Sequence, residues 1–357
     1  MSKQLPRGWQ EKKLIDFSPL QRGFDLPNSK IINGEYPIVY SNGIKAYHNE
    51  YKCKGVGVVT GRSGTIGKVT YVEKDYWPHN TSLWVTDFKG NLPKFVFYLL
   101  SYIDLSKYDA GTSVPTLNRN DVHKITVLVP PLDEQKRIAD ILSTFDDLIE
   151  NLNKLIEKKE IYKKGVMQRV LTGEVRFNGF TDEWEFKSLE ELCNIKKGEQ
   201  KNKLDLIENG EYPVLSGGMD FSGYYDSYNR EANTITISEG GNSCGYVNFI
   251  KTKFWASGHC YTLHDVNIDV AFLYQCLKYN ENKIMKLRLG SGLPNIQLSY
   301  IREYTLKIPP SIEEQNKIAE LLTLIDKDIE ILKQLLHLRK LQKKGVMQKL
   351  LTGEVRV

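Results

Sequence analysis

The chain of 357 residues is too long for one ordinary domain, and its 41% hydrophobic and 26% charged residues exclude a disordered chain in favour of globular cores. A formal net charge of +5 tilts it weakly toward polyanionic partners without demanding one. No apolar run reaches signal-peptide or membrane-span length, and the cysteines (Cys53, Cys193, Cys244, Cys260, Cys276) form no CxxC pair, so a reducing cytoplasm is expected and a disulfide framework is not.

In chain order, residues 1–131 read as mixed α/β. "GWQEKKLIDF" opens the segment and "NGEYPIVYSNG" (33–43) follows. "KGVGVVTG", "GKVTYV", "SLWVTDF" and "KITVLVP" are rich in β-branched and aromatic residues, as strands are, and "PKFVFYLLSYI" reads as a helix. Pro130 and Pro131 then lead into a long helix over 132–176, where Ile138, Leu142, Phe145, Ile149, Leu152 and Ile156 alternate in steps of four and three. Gly173 marks its stop.

From residue 177 the chain starts again. "EWEFKSLEEL" answers "GWQEKKLIDF", "NGEYPVLSGGM" (209–219) answers "NGEYPIVYSNG", and "NTITIS", "YVNFI", "YTLKIP" and the helix "DVAFLYQCLKY" fill 177–310. "PPLDEQKRIADIL" (130–142) returns as "PPSIEEQNKIAELL" (309–322), and "KKGVMQRVLTGEVRF" (163–177) as "KKGVMQKLLTGEVRV" (343–357). In 311–357 the stripe is Leu322, Ile325, Ile329, Leu332 and Leu336. The layout is domain–helix–domain–helix, with helical parts nearly identical and domain parts diverged. Two copies kept alike face the same kind of partner; two copies that differ have either drifted or read different things.

A lone amphipathic helix of ~37 residues would be ~55 Å long and could not bury its stripe on a small domain. Packing the two helices on each other is the economical solution. A parallel pair would leave a gap of ~50 Å for the link between Thr172 and Glu185, which spans at most ~45 Å stretched. An antiparallel pair is therefore expected.

"GRSGTIGKVT" (61–70) looks like a phosphate loop but fails the pattern. The glycines are one residue too far apart, Val69 stands where Ser or Thr should bind Mg²⁺, and the twin "EGGNSCGYVN" has Tyr246 in place of Lys68. Aligning Trp77 with Trp255 sets Cys260 opposite Ser82 and Cys244 opposite Ile66, and "GHCYTLH" has no His or Cys counterparts, so no zinc site is expected. No catalytic motif of a hydrolase, methyl-donor or dinucleotide fold appears, and no catalytic residue is assigned. What is left is binding. Loops at 40–47, 61–64, 77–82 and 111–120, with counterparts at 215–225, 240–243, 255–261 and 288–297, gather Arg, Asn, Gln, Ser and Thr beside glycine. Such loops are ordinarily just solvated, but here the differences between copies concentrate in them.

The chain resembles the DNA specificity subunit of type I restriction–modification systems, through the repeated layout, the two "PP…EQ" helix starts and the two "GVMQ…LTGEVR" helix ends. The resemblance covers essentially the whole chain. It implies an α/β (α+β) architecture with two target recognition domains (1–131 and 177–310) in pseudo-two-fold arrangement, separated by a central helix (132–176) and a distal helix (311–357) forming an antiparallel coiled coil. It further implies double-stranded DNA with a bipartite asymmetric target, two methyltransferase subunits, restriction/translocase subunits, and no membrane. No cofactor is expected in this chain, S-adenosylmethionine belonging to the partner methyltransferase. By loop position, the expected DNA-binding residues are Ser41, Asn42, Arg62, Ser63, Asn80, Thr112, Ser113 and Asn118 in the first half. In the second they are Ser216, Asn242, Ser243, His259, Arg288, Ser291 and Gln297. Met167, Gln168, Met347 and Gln348 are expected to dock partners. The alternative from another class is a non-catalytic coiled-coil scaffold carrying two ligand-binding domains, which would show no salt-sensitive DNA binding.

Overall fold

The structure, a computed structural model, describes residues 5–109, 113–290, 292 and 294–357. Two compact units divide the chain: Met1–Asn153 with Gln334–Val357, and Lys154–Lys333.

In the first unit Gln10–Lys13 pairs antiparallel with Thr126–Val129, so the chain enters and leaves the α/β domain on neighbouring strands. Between them lies a four-stranded sheet in the order Leu20–Arg22, Ser82–Val85, Gly57–Gly61, Val69–Val72. A three-stranded sheet follows the order Gly43–His48, Tyr36–Tyr40, Trp77–Pro78. The helix Pro93–Tyr102 buries Phe95, Val96, Tyr98, Leu99 and Leu100 in the core. Pro93 suits its first turn, where an N–H has no helical partner.

The second unit repeats this order strand for strand. Glu185–Ser188 pairs with Thr305–Ile308, and the larger sheet runs Asn194–Lys197, Cys260–His264, Thr234–Ser238, Val247–Ile250. The smaller runs Gly223–Tyr225, Tyr212–Leu215, Trp255–Ala256, and the matching helix is Val270–Tyr279, capped by Asp269 accepting from the Phe272 N–H at 2.6 Å. The strands and paired helices expected from the sequence are all present.

The two long helices span Leu132–Leu171 and Ile312–Leu351, 40 residues each. Each unit holds the start of one and the end of the other. In the first unit Asp146 pairs with Lys343 and Glu134 with Arg356. In the second, Lys159 pairs with Asp328 at 3.0 Å, Lys163 with Asp326 at 2.6 Å and Arg176 with Glu314 at 2.7 Å. Within each unit one number rises as its partner falls, so the segments run antiparallel, as the link length requires. The stripe faces inward: Ile138, Leu142 and Leu322 are fully buried, while Phe145, Ile149, Leu332 and Leu336 are half-buried. Each fully buried aliphatic contributes about 1.5–3 kcal/mol.

The repeated motifs fasten helix starts to helix ends. Gln135 takes the Leu92 N–H on Oε1 at 2.9 Å and donates to the Pro130 carbonyl at 3.0 Å. Gln315 does the same with the Asp269 N–H and the Pro309 carbonyl. Glu134 and Glu314, buried beside these glutamines, each receive a two-pronged arginine: Arg356 for Glu134, Arg176 for Glu314. The arginines arrive there because Gly173 and Gly353, at φ +76° and +69°, end the helices in the left-handed conformation that favours glycine. The "EQ" and "TGEVR" motifs are thus two sides of one fastening, made once in each unit.

Candidate nucleic-acid interface

In the first unit the central strand ends at Gly61, where a Cβ would lie 2.0 Å from the Thr65 carbonyl oxygen, so the tight turn admits no side chain. The following loop is stitched to two others. The Arg62 N–H donates to Thr81 O at 2.9 Å, the Leu117 N–H to Arg62 O at 2.7 Å, and the Gly64 N–H to Pro115 O at 3.0 Å. This stitching decides the phosphate-loop question physically. The N–H groups of Gly61, Arg62, Ser63, Gly64 and Gly67 all donate to protein carbonyls, which leaves none of these five to cradle a phosphate. Lys68 is likewise engaged, its Nζ 2.6 Å from Asn42 O.

Arg62, Ser63, Asn80 and Asn118 come together around these stitched loops. Arg62 is half-buried, with one long bond from Nη1 to Asn80 O at 3.4 Å. Asn80 donates to Asp25, which also pairs with Arg22 at 2.9 Å. Ser63 bridges to Thr116 through the main chain. Asn118 is exposed, its Oδ1 capping the Asn120 N–H at 3.0 Å. Ser41 is buried, its main-chain N–H donating to Thr81 Oγ1 at 3.2 Å. Asn42 and Ser113 are exposed, and Thr112 lies outside the described residues. His79 bonds Thr81 Oγ1 at 3.0 Å, and burial holds its ring pKa below the ordinary value. A groove of about 750 Å³ runs past Arg22, Asp25, Arg62, Leu117, Asn118 and Arg119.

The second unit repeats the stitching with other side chains. The Glu239 N–H donates to His259 O at 3.0 Å, the Ile296 N–H to Glu239 O at 2.8 Å, and the Gly241 N–H to Pro294 O at 2.9 Å. Glu239 thereby occupies the place of Arg62, and Tyr246 that of Lys68. Its carboxylate, nearly buried, takes Lys197 Nζ, His259 Nδ1 at 3.1 Å and the Tyr261 hydroxyl at 3.2 Å. His259 is exposed, as are Asn242, Arg288 and Gln297; Ser216 is half-buried. Ser243 turns back onto Gly217 O at 2.7 Å. Ser291 lies outside the described residues.

Sequence reasoning missed Arg22, Asp25 and Arg119 in the first unit and Lys197, Glu239 and Tyr261 in the second. Arg119 could have been found as the neighbour of Asn118 in "LNRN"; Arg22, Lys197 and Tyr261 emerge from strand pairing, Arg22 opposite Leu83 and Lys197 opposite Tyr261, and Asp25 and Glu239 from their ion pairs with Arg22 and Lys197. At the helix ends, Met167 is buried in the second unit's core and Met347 packs half-buried against the first's, whereas Gln168 and Gln348 are exposed. Ile161 and Leu341, at the same place in the two copies, are also exposed (62% and 53%).

Among the described residues no group of three or more His, Cys, Asp or Glu side chains could hold a metal ion. The five cysteines are buried, and burial pushes the Cys193 and Cys260 thiols up to about 12, out of nucleophilic range. No helix of the described residues is long and apolar enough to cross a membrane.

Comparison with known proteins gives a consistent picture. The family described as "Type I restriction modification DNA specificity domain" matches residues 6–160 and 181–338, one match in each half. A Mycoplasma pneumoniae protein named as a putative type I specificity subunit is 36% identical over 172 residues, covering 47% of this chain and 46% of that one. The chain therefore aligns with about half the length of that relative. The type I restriction enzyme MjaVIII specificity subunit of Methanocaldococcus jannaschii is 28% identical over 300 residues, 74% of this chain and 70% of that one. The crystal structure of the type I system S subunit from M. genitalium superimposes with a TM-score of 0.70 at 21% identity, covering 98% of both chains, which shows a shared fold. With both halves matched, the chain belongs to the family of type I restriction–modification DNA specificity subunits.

Proposed function

We propose that this chain reads a bipartite, asymmetric DNA target, with residues 1–131 and 177–310 as the two target recognition domains and the helical segments 132–176 and 311–357 setting the unread spacer. The observation that carries the reading is the pair of stitched loop clusters. The same backbone bonds present Arg62 in one unit and Glu239 in the other, so one scaffold displays two different chemistries. Arg62, Ser63, Asn80, Asn42, Ser113 and Asn118 contact the first half-site; His259, Asn242, Arg288, Gln297 and Ser216 the second; Thr112 and Ser291 belong with them by loop position. Ser243 supports its loop through the Gly217 carbonyl, and Ser41 lies buried under the first cluster.

The chain performs no chemistry itself. It docks two methyltransferase subunits, which carry S-adenosylmethionine and modify adenine, and a restriction/translocase subunit that acts on unmodified DNA in the cytoplasm. Near-identical helix ends suit identical partners: Gln168 and Gln348 are exposed beside Ile161 and Leu341, over the inward-packed Met167 and Met347. The test is co-purification with the methyltransferase subunit, followed by mapping methylated adenines in host DNA. Replacing residues 1–131 with those of another specificity subunit should change one half of a split motif and leave the other. An unchanged motif, or no complex, would refute the reading.

A further inference from the structure

We infer that the first domain carries a seat for a DNA backbone phosphate, formed by Arg62 and Arg119, that the second domain lacks. The inference rests on the DNA reading proposed above and adds an inequality between its two halves.

Two guanidinium groups line the groove of about 750 Å³ with donors to spare. Arg62 uses one of its five N–H groups, in a bond of 3.4 Å. Arg119 is exposed at the start of the short helix Arg119–Val122, one residue after Asn118. Arg22, also on this groove, is already matched by Asp25, so the unmatched charge there belongs to Arg62 and Arg119. A concave, cationic surface fits a ridge. The ridges of duplex DNA are its sugar–phosphate strands, while its base edges lie at the floor of its own grooves. Forked donors in a groove therefore suit a phosphate better than a base edge.

The second domain cannot offer the same seat. Backbone bonds make Glu239 the counterpart of Arg62 and Gln297 the counterpart of Asn118, so Leu298 stands in the place of Arg119. Leu83, on the groove in the first domain, is answered by Tyr261, whose hydroxyl reaches the Ile296 carbonyl at 2.9 Å and the Glu239 carboxylate. A carboxylate already paired with Lys197 and a leucine replace two arginines, so the two free guanidinium groups that would hold an anion are gone. The first half-site should thus contribute more of the salt-dependent affinity.

The test uses the full-length chain on duplex DNA containing its methylation motif, with affinity measured between 50 and 200 mM salt. Arg62→Ala and Arg119→Ala should each weaken binding on all sequences alike and shallow the log–log salt slope, by about 1 for a lost phosphate contact. Arg62→Lys, which keeps the charge, should restore most of the slope. Because Arg62 supports the fold through its main chain, unfolding midpoints should not move. A variant with unchanged slope overturns the inference, and so does one whose preference relaxes at a single base pair, which would make Arg62 a base reader. If the unaltered chain binds no DNA, the proposed function fails and the inference with it; sequence-specific binding with an unchanged slope in the variants sinks the inference alone.

Discussion

The guanidinium of Arg356 closes on both carboxylate oxygens of Glu134, Nε to Oε1 at 3.1 Å and Nη2 to Oε2 at 2.7 Å, across 222 residues of sequence. Trp9 adds its indole N–H to Oε2 at 3.1 Å. A carboxylate that is 2% exposed is tolerable only with such partners. Arg356→Ala should destabilise the first unit more than Glu134→Ala does. The first change strands a buried charge; the second releases an arginine that reaches water and leaves the Trp9 N–H unpaired, at about 1–3 kcal/mol. Urea unfolding of the two variants checks the order.

The same site predicts an acid response. Hydrogen bonds from Arg356, with help from Trp9 and against the opposing effect of burial, hold the Glu134 carboxyl below the ordinary carboxylate range. A depressed folded pKa means the unfolded chain binds the proton more readily. The stabilisation is therefore complete above the unfolded value of about 4.3 and fades as pH falls through the lower folded value. Glu134→Gln should flatten the loss of stability between pH 5 and pH 3, measured as the unfolding midpoint against pH. An identical slope in that variant would show that other carboxylates govern acid unfolding.

The two helix stops separate backbone strain from crowding. At Gly173 a Cβ would find its nearest neighbours, the Trp184 ring atoms, at 3.5 Å or beyond; at Gly353 it would meet Pro6 Cγ at 2.8 Å. Gly173→Ala should cost about 1–2 kcal/mol, for the left-handed backbone alone. Gly353→Ala should cost more, because Pro6 has to move. Equal losses in thermal or urea unfolding would mean that the Pro6 contact yields freely.

Much of this architecture was legible in the sequence because it is local or repeated. The strands announce themselves through runs such as "GKVTYV", and the inward stripe from Ile138 to Ile156 through its spacing. The failed phosphate loop showed in the mismatch between Lys68 and Tyr246. The fastening between Glu134 and Arg356 was not legible, since each motif is short and its partner lies across a chain reversal in the other copy. The loops were the least legible part. Ser41 and Ser243 look like readers because they are small and polar, but the Ser243 hydroxyl turns back onto the Gly217 carbonyl, and Ser41 is buried with its own N–H held by the Thr81 hydroxyl. Arg119 was passed over beside Asn118, although a long exposed cation is the better anion ligand.

The first unit takes Met347, Leu350 and Leu351 into its hydrophobic core along with Trp9, Ile138 and Leu142. Its α/β domain is translated before the second unit, yet these last core residues are made after the whole second unit. At about 5–20 residues per second the interval is roughly 10–35 s. Throughout it the N-terminal domain waits with an unfilled slot and the Glu134 carboxylate without its arginine. The first unit is thus completed only by residues made after the second unit.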